Sequence, residues 1–138
     1  MYYTYNFISI FLFLIPLLTS VNLECNEYII INFIWLTAGF AYHLSSFMNN
    51  YEVKGIVHLF RFIDMLSIHT LIPYIIYYST YNNYYYYTGV INVILLIGFY
   101  YFNLLIVNHN ILHVIASFGV YNAVNSCYLN KDTCHLCF

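Results

Sequence analysis

Five apolar runs separated by short polar breaks leave this chain almost no charged side chain with which to meet water. Only 6% of its 138 residues are Asp, Glu, Lys or Arg, whereas soluble domains carry about 25%. Burial does not absorb the difference. A soluble chain of this size keeps roughly a third of its surface exposed, and three Lys and Arg with five Asp and Glu cannot coat it. Lipid is the solvent that fits. The fold class expected is therefore all-α: a polytopic transmembrane helix bundle of four or five spans, forming one domain. The charge balance also excludes nucleic acid as a partner, because there is no basic stripe and the Tyr and Phe residues sit inside apolar runs.

The first run, residues 7–21, holds Pro16 and is ~15 residues long, short of the ~20 that span a bilayer. Residues 1–22 thus read equally as a first span or as a signal peptide, though no positively charged segment precedes the run. Residues 28–48, 56–79, 88–107 and 111–128 are the further expected spans, and residues 129–138 form a tail polar enough to sit in water. Four consecutive tyrosines, 84–87, close a loop at the level of an interfacial aromatic belt. Lys54 and Arg61 flank the break between the second and third runs, which puts that break and the one at 108–110 in the cytoplasm by the positive-inside rule. The cysteine-bearing tail then faces the lumen or exterior, although Lys131 opposes this.

Cys25 follows the first run, and Cys127, Cys134 and Cys137 lie near the other end. Cys134-His135-Leu136-Cys137 has the spacing of half a zinc site, but no second pair of ligands at similar spacing accompanies it. These cysteines read as tail thiols, or as disulfide partners if that side is lumenal.

Ionisable groups inside a span cost about 2.5–3.5 kcal/mol each on insertion scales, so they mark function or a buried pair. His109 and His113 are four apart and share one helix face, where two imidazoles can reach a single metal ion. His43 lies near the end of the second expected span, and Asp64 lies about 12 Å of helical rise into the third. Under the topology above, all four fall in one leaflet at similar depth. Three imidazoles suit zinc with an open position for water, whose pKa the metal lowers toward ~7. Asp64 is placed to act on that water, or to accept a hydrogen bond from a ligand imidazole.

The stretches Ala41-Tyr42-His43-Leu44, Arg61-Phe62-Ile63-Asp64 running on to Pro73-Tyr74, and His109-Asn110-Ile111-Leu112-His113-Val114 resemble haemolysin III and the progestin-and-adipoQ receptor family. Those proteins share a superfamily with alkaline ceramidases and myomaker-like membrane proteins. The resemblance covers roughly residues 28 to 125. It implies zinc held by His43, His109 and His113, a catalytic Asp64, and hydrolysis of an amide or ester in a membrane lipid such as a ceramide. Two features depart from the family. The serine expected four residues before the first His is Gly39, with Thr37 and Ser46 off the matching position. The family has seven helices, where this chain has at most five; losing two preserves the side from which the last helix enters. A reduced relative or an incomplete gene model is implied.

Other readings stand beside this one. His58 and His69 are expected to line the bundle interior or to bond nearby carbonyls. Arg61 is expected to snorkel to headgroups or to pair with Asp64. The four-residue constellation also reads as ordinary polar contacts between helices. The chain as a whole reads alternatively as an accessory subunit of a larger membrane protein complex, or as a carrier of haem between His43 and His109 or His113.

Overall fold

The computed structural model describes residues 8–49, 55–78, 83–101, 109–130, 132 and 134–137, without the side chains of 77, 78, 100, 101, 109 and 135. Among the described residues the secondary structure is helical throughout. A 3-10 turn (Ile10–Phe13) runs into α1 (Leu14–Asn22), followed by α2 (Asn26–Met48), α3 (Ile56–Tyr78), α4 (Tyr84–Tyr101), α5 (His109–Leu129) and a short 3-10 turn (His135–Cys137). Two stretches, Asn26–Met48 and Ile56–Ile76, are long and apolar enough to cross a membrane; Ile10–Asn22 and Tyr84–Phe99 are shorter apolar helices.

The fourth helix starts four residues before its expected span. Asn83 explains the shift, because its Oδ1 accepts the Tyr86 backbone N–H at 2.8 Å and so caps a helix whose first turn is the tyrosine run. The belt tyrosines are helical rather than loop residues. The far end of that expected span, 102–107, lies outside the described residues.

The chain reverses between α1 and α2 through Glu24, at φ 57°, with Leu23 N–H bonded to Thr19 O at 3.0 Å and Cys25 N–H to Ser20 O at 2.9 Å. This turn lays α1 back along α2, where Asn32 Nδ2 donates to Ser20 Oγ at 2.9 Å and Ser20 Oγ donates to Pro16 O at 2.7 Å. The other side of the first helical segment meets α5, where Ser117 Oγ donates to Leu12 O at 3.2 Å. Ile10, Phe13 and Ser20 are buried as a result.

The fourth and fifth helices cross at small residues. A Cβ on Gly119 would stand 3.3 Å from Asn92 Cβ, and one on Gly89 would stand 3.7 Å from Gly119 O. Absent side chains let the two backbones approach. Asn83 Nδ2 adds a bond to Ser126 Oγ at 3.0 Å.

Contacts therefore run in the order α3, α2, α1, α5, α4, while α3 and α4 share no extensive contact although they are neighbours in sequence. The two ends of this arc face each other across a cavity of about 420 Å³. The outward faces stay apolar: Phe33, Phe62 and Ile94 are each about 60% exposed. Many polar side chains close on their own helices, as Thr70 Oγ1 does on Leu66 O at 2.8 Å and Asn92 Nδ2 on Thr88 O at 2.7 Å. That habit suits surroundings where water is not there to accept the bond.

All four cysteines are paired, Cys25 with Cys137 and Cys127 with Cys134. Both bridges sit where α2 begins and α5 ends. The tail expected to lie in water instead folds back: Cys134 and Leu136 are fully buried, and Cys134 N–H bonds Asn130 O at 2.9 Å. Leu136 and the two bridges supply the apolar side that the tail's polar residues concealed.

Candidate functional site

His43 lies near the end of α2 and His113 near the start of α5, so antiparallel helices bring both to one level of the bundle. Their rings meet edge to face with centroids 4.8 Å apart. Both are buried, His43 at 7% and His113 at 9% exposure. Phe13 packs its ring on His113 at 6.2 Å and on Trp35 at 6.3 Å, and Tyr42 flanks His43 at 4.8 Å. Two buried imidazoles thus share an aromatic enclosure, where an electrostatic interaction is weakly screened.

The third participant was not legible in the sequence. Ser9, just before the first 3-10 turn, holds its Oγ 2.6 Å from His113 Nδ1 across 104 residues of chain. No spacing rule links two residues that far apart, and Ser9 sits in a run whose status as span or signal peptide the sequence left open.

Asp64, half-buried on α3, approaches α2 one turn before His43. A Cβ placed on Gly39 would lie 3.5 Å from Asp64 Oδ1. Asp64 and His113 both border the cavity. Of the expected four, the fold brings His43 and His113 into contact and Asp64 to the neighbouring turn. His109 opens α5 one turn before His113, and its side chain is outside the described residues. Among the described residues no group of three His, Cys, Asp or Glu converges on one point.

The expected serine position is filled rather than vacant. A Cβ on Gly39 would come within 2.5 Å of Ile10 Cδ1, so the first helical segment keys into the notch. Thr37 cannot stand in, since it is exposed and its hydroxyl bonds Phe33 O at 2.8 Å. Ser46 is buried, but beyond His43 from Gly39. The other polar residues of α3 separate: His69 Nδ1 donates to Met65 O at 2.6 Å, His58 is exposed rather than interior, and Arg61 is exposed at the cavity's border. Trp35 also borders the cavity, with its buried indole N–H lacking an acceptor among the described residues.

No family model, curated protein or solved structure matches the chain.

The chemistry of the site rests on its own groups. It has two imidazoles in an aromatic enclosure, a hydroxyl on one of them, and a carboxyl at the next turn beside an apolar cavity. Nitrogen donors of this kind suit zinc, and equally suit proton transfer at a bound carbonyl.

Proposed function

We propose that the chain is a multi-pass membrane protein of four or five spans that binds zinc and hydrolyses an amide or ester bond in a membrane lipid of ceramide-like type. The observation that carries this reading is the edge-to-face contact of His43 and His113. Two imidazoles from different helices meet inside an apolar bundle, where each costs insertion energy and is retained only with a partner or a task. His43 and His113 would hold the ion, with His109 as the third ligand. Zinc, when bound, supplies a hydroxide near neutral pH. Asp64 would hold or take a proton beside it, and the cavity between α3 and α4 would seat the apolar chain of the substrate. Apolar outward faces support the membrane setting. Both disulfides at one end support an oxidising compartment there, with His43 and His113 toward the opposite leaflet.

The ring contact also bears on haem. Imidazoles in edge-to-face contact leave no space for a porphyrin plane between them, so this pair favours a small ion. The exposed apolar face of α3, with Leu59, Phe62 and Leu66 all more than half exposed, favours a second reading as a subunit of a larger membrane assembly.

Metal analysis of the detergent-purified chain tests the first reading: about one zinc per chain is expected, lost in His43→Ala and His113→Ala. Wild-type protein without zinc after loading overturns it. Stoichiometric co-purification with partner proteins, without zinc, would establish the second.

A further inference from the structure

Arg61 and Asp64 stand one turn apart on α3 and both border the cavity between α3 and α4, yet they do not pair. Neither the guanidinium nor the carboxyl has an ion pair or a hydrogen bond among the described residues. Opposite charges at that spacing on a helix ordinarily find each other. Here a group that only donates and a group that accepts are left open on one wall, one helical turn apart. Together they call for a ligand with an anion at one point and a hydrogen-bond donor close beside it.

The rest of the cavity is apolar and long. Its wall continues past Asp64 through Ile68 and Ile72 on α3, faces Val90 and Val93 on α4, and reaches Ala116 and Ala123 on α5. The polar side chains along the way turn to their own helices, His69 Nδ1 to Met65 O at 2.6 Å and Asn92 Nδ2 to Thr88 O at 2.7 Å. From Leu112, level with the polar end, to Ala123, α5 rises about 16 Å. One leaflet of hydrocarbon is about 15 Å deep, half of a ~30 Å core. The want of contact between α3 and α4 leaves this length open at the side, so a lipid chain can enter from the bilayer without crossing water.

We infer that the cavity binds a single-chain lipid phosphate of the surrounding bilayer, with its phosphate on Arg61, a neighbouring hydroxyl donating to Asp64, and its acyl chain lying along α5 as far as Ala123. The order along such a ligand, phosphate, hydroxyl and chain, is the order along α3: Arg61, Asp64 one turn deeper, then the isoleucines. A guanidinium meets phosphate through two parallel bonds. The positive-inside rule turns this end toward the cytoplasmic leaflet, where anionic lipid heads are found. A fatty acid would answer Arg61 and set its charge against Asp64; a neutral acyl amide would leave Arg61 without an anion. Such a ligand needs no metal and lies beyond the hydrolase reading, whose substrate chain it would displace from the same cavity.

Trp35 is the only tryptophan, is 5% exposed and borders the cavity. Its fluorescence therefore reports a brominated chain in the slot and is shielded from chains in the lipid around the bundle. The full metal-free chain in phosphatidylcholine nanodiscs is titrated with three probes that share one brominated long chain: a monoacyl glycerophosphate, an alkyl phosphate without the hydroxyl, and a monoacylglycerol without the phosphate. The glycerophosphate is expected to quench at the lowest concentration. Arg61→Gln should weaken it about tenfold, the scale of a hydrogen bond to a charged group, and Arg61→Lys should weaken it less. Ala123→Phe should exclude the long-chain glycerophosphate and still admit a shorter one, which also shows that this variant is folded. Equal quenching by glycerophosphate and monoacylglycerol overturns the place of the phosphate, and equal quenching by the alkyl phosphate overturns the part of Asp64. Unchanged long-chain binding in Ala123→Phe overturns the path of the chain. Displacement by inorganic phosphate alone would mean a free-anion site and overturn the lipid. Tighter quenching by a brominated fatty acid or ceramide-like amide overturns the phosphate and leaves the cavity to the hydrolase reading, which the zinc content tests separately.

Discussion

Ile10 fills the notch that Gly39 leaves on α2, with its Cδ1 2.5 Å from where a Cβ at position 39 would stand. Restoring a side chain there must displace the isoleucine. Gly39→Ala is expected to lower stability by about 1–3 kcal/mol, the usual range for overpacking. Ile10→Val, which removes the crowding methyl, should recover most of that loss in the double variant. Thermal unfolding of the four proteins in one detergent reads this directly; additive effects would mean that the two positions do not meet.

The crossing of α4 and α5 should be asymmetric in its tolerance. Gly119→Ala brings a methyl to 3.3 Å from Asn92 Cβ, whereas Gly89→Ala has 3.7 Å to Gly119 O. Gly119→Ala is therefore expected to lower Tm more than Gly89→Ala, and Leu at 119 more still. Equal effects of the two alanines would argue against this crossing.

The zinc reading makes a prediction about stability. A ligand present at 100 times its Kd stabilises by about 2.7 kcal/mol. A strong chelator is thus expected to lower the wild-type Tm and to leave His43→Ala and His113→Ala unchanged. A wild-type Tm indifferent to chelator after zinc loading would contradict a structural hold on the ion.

Both disulfides at one end make a sidedness prediction. Maleimide reagents should modify no cysteine in the denatured, unreduced protein and four after reduction. In sealed vesicles, a membrane-impermeant reductant should open the bridges only from the lumenal or exterior side. Four free thiols in freshly isolated protein would refute the pairing.

The N-terminal run should survive in the mature protein. Ile10, Phe13 and Ser20 are buried between α2 and α5, and cleavage after residue 20 would strip Asn32 of its hydrogen-bond acceptor. Intact mass spectrometry is expected to show residues 1–22 present; a mature chain starting beyond Ser20 would also eliminate any part for Ser9.

The helices were legible because apolar runs bounded by Asn-rich breaks admit little else, and His43 with His113 because ionisable groups stand out against such runs. Asp64 came one turn from them, as a depth argument specifies level but not azimuth around the bundle. Ser9 and Trp35 were hidden for a different reason. A serine or tryptophan within an apolar run looks ordinary until a helix from elsewhere supplies its neighbour. Leu136 was hidden too, since a tail's burial depends on which cysteines join, and four cysteines allow three pairings.

The bridge from Cys25 to Cys137 spans 112 residues and so sets an order of events during synthesis. At about 5–20 residues per second, Cys25 waits roughly 6–20 s for its partner. During that interval the Cys127 thiol emerges first and competes for it. The Cys127–Cys134 bridge, only 7 residues long, closes at small entropic cost and withdraws both competitors as soon as the second is made. Cys137 is then the only thiol left for Cys25. The covalent closure of the bundle therefore waits until α5 has been made, and the first helical segment must hold its place against α2 by packing alone until then.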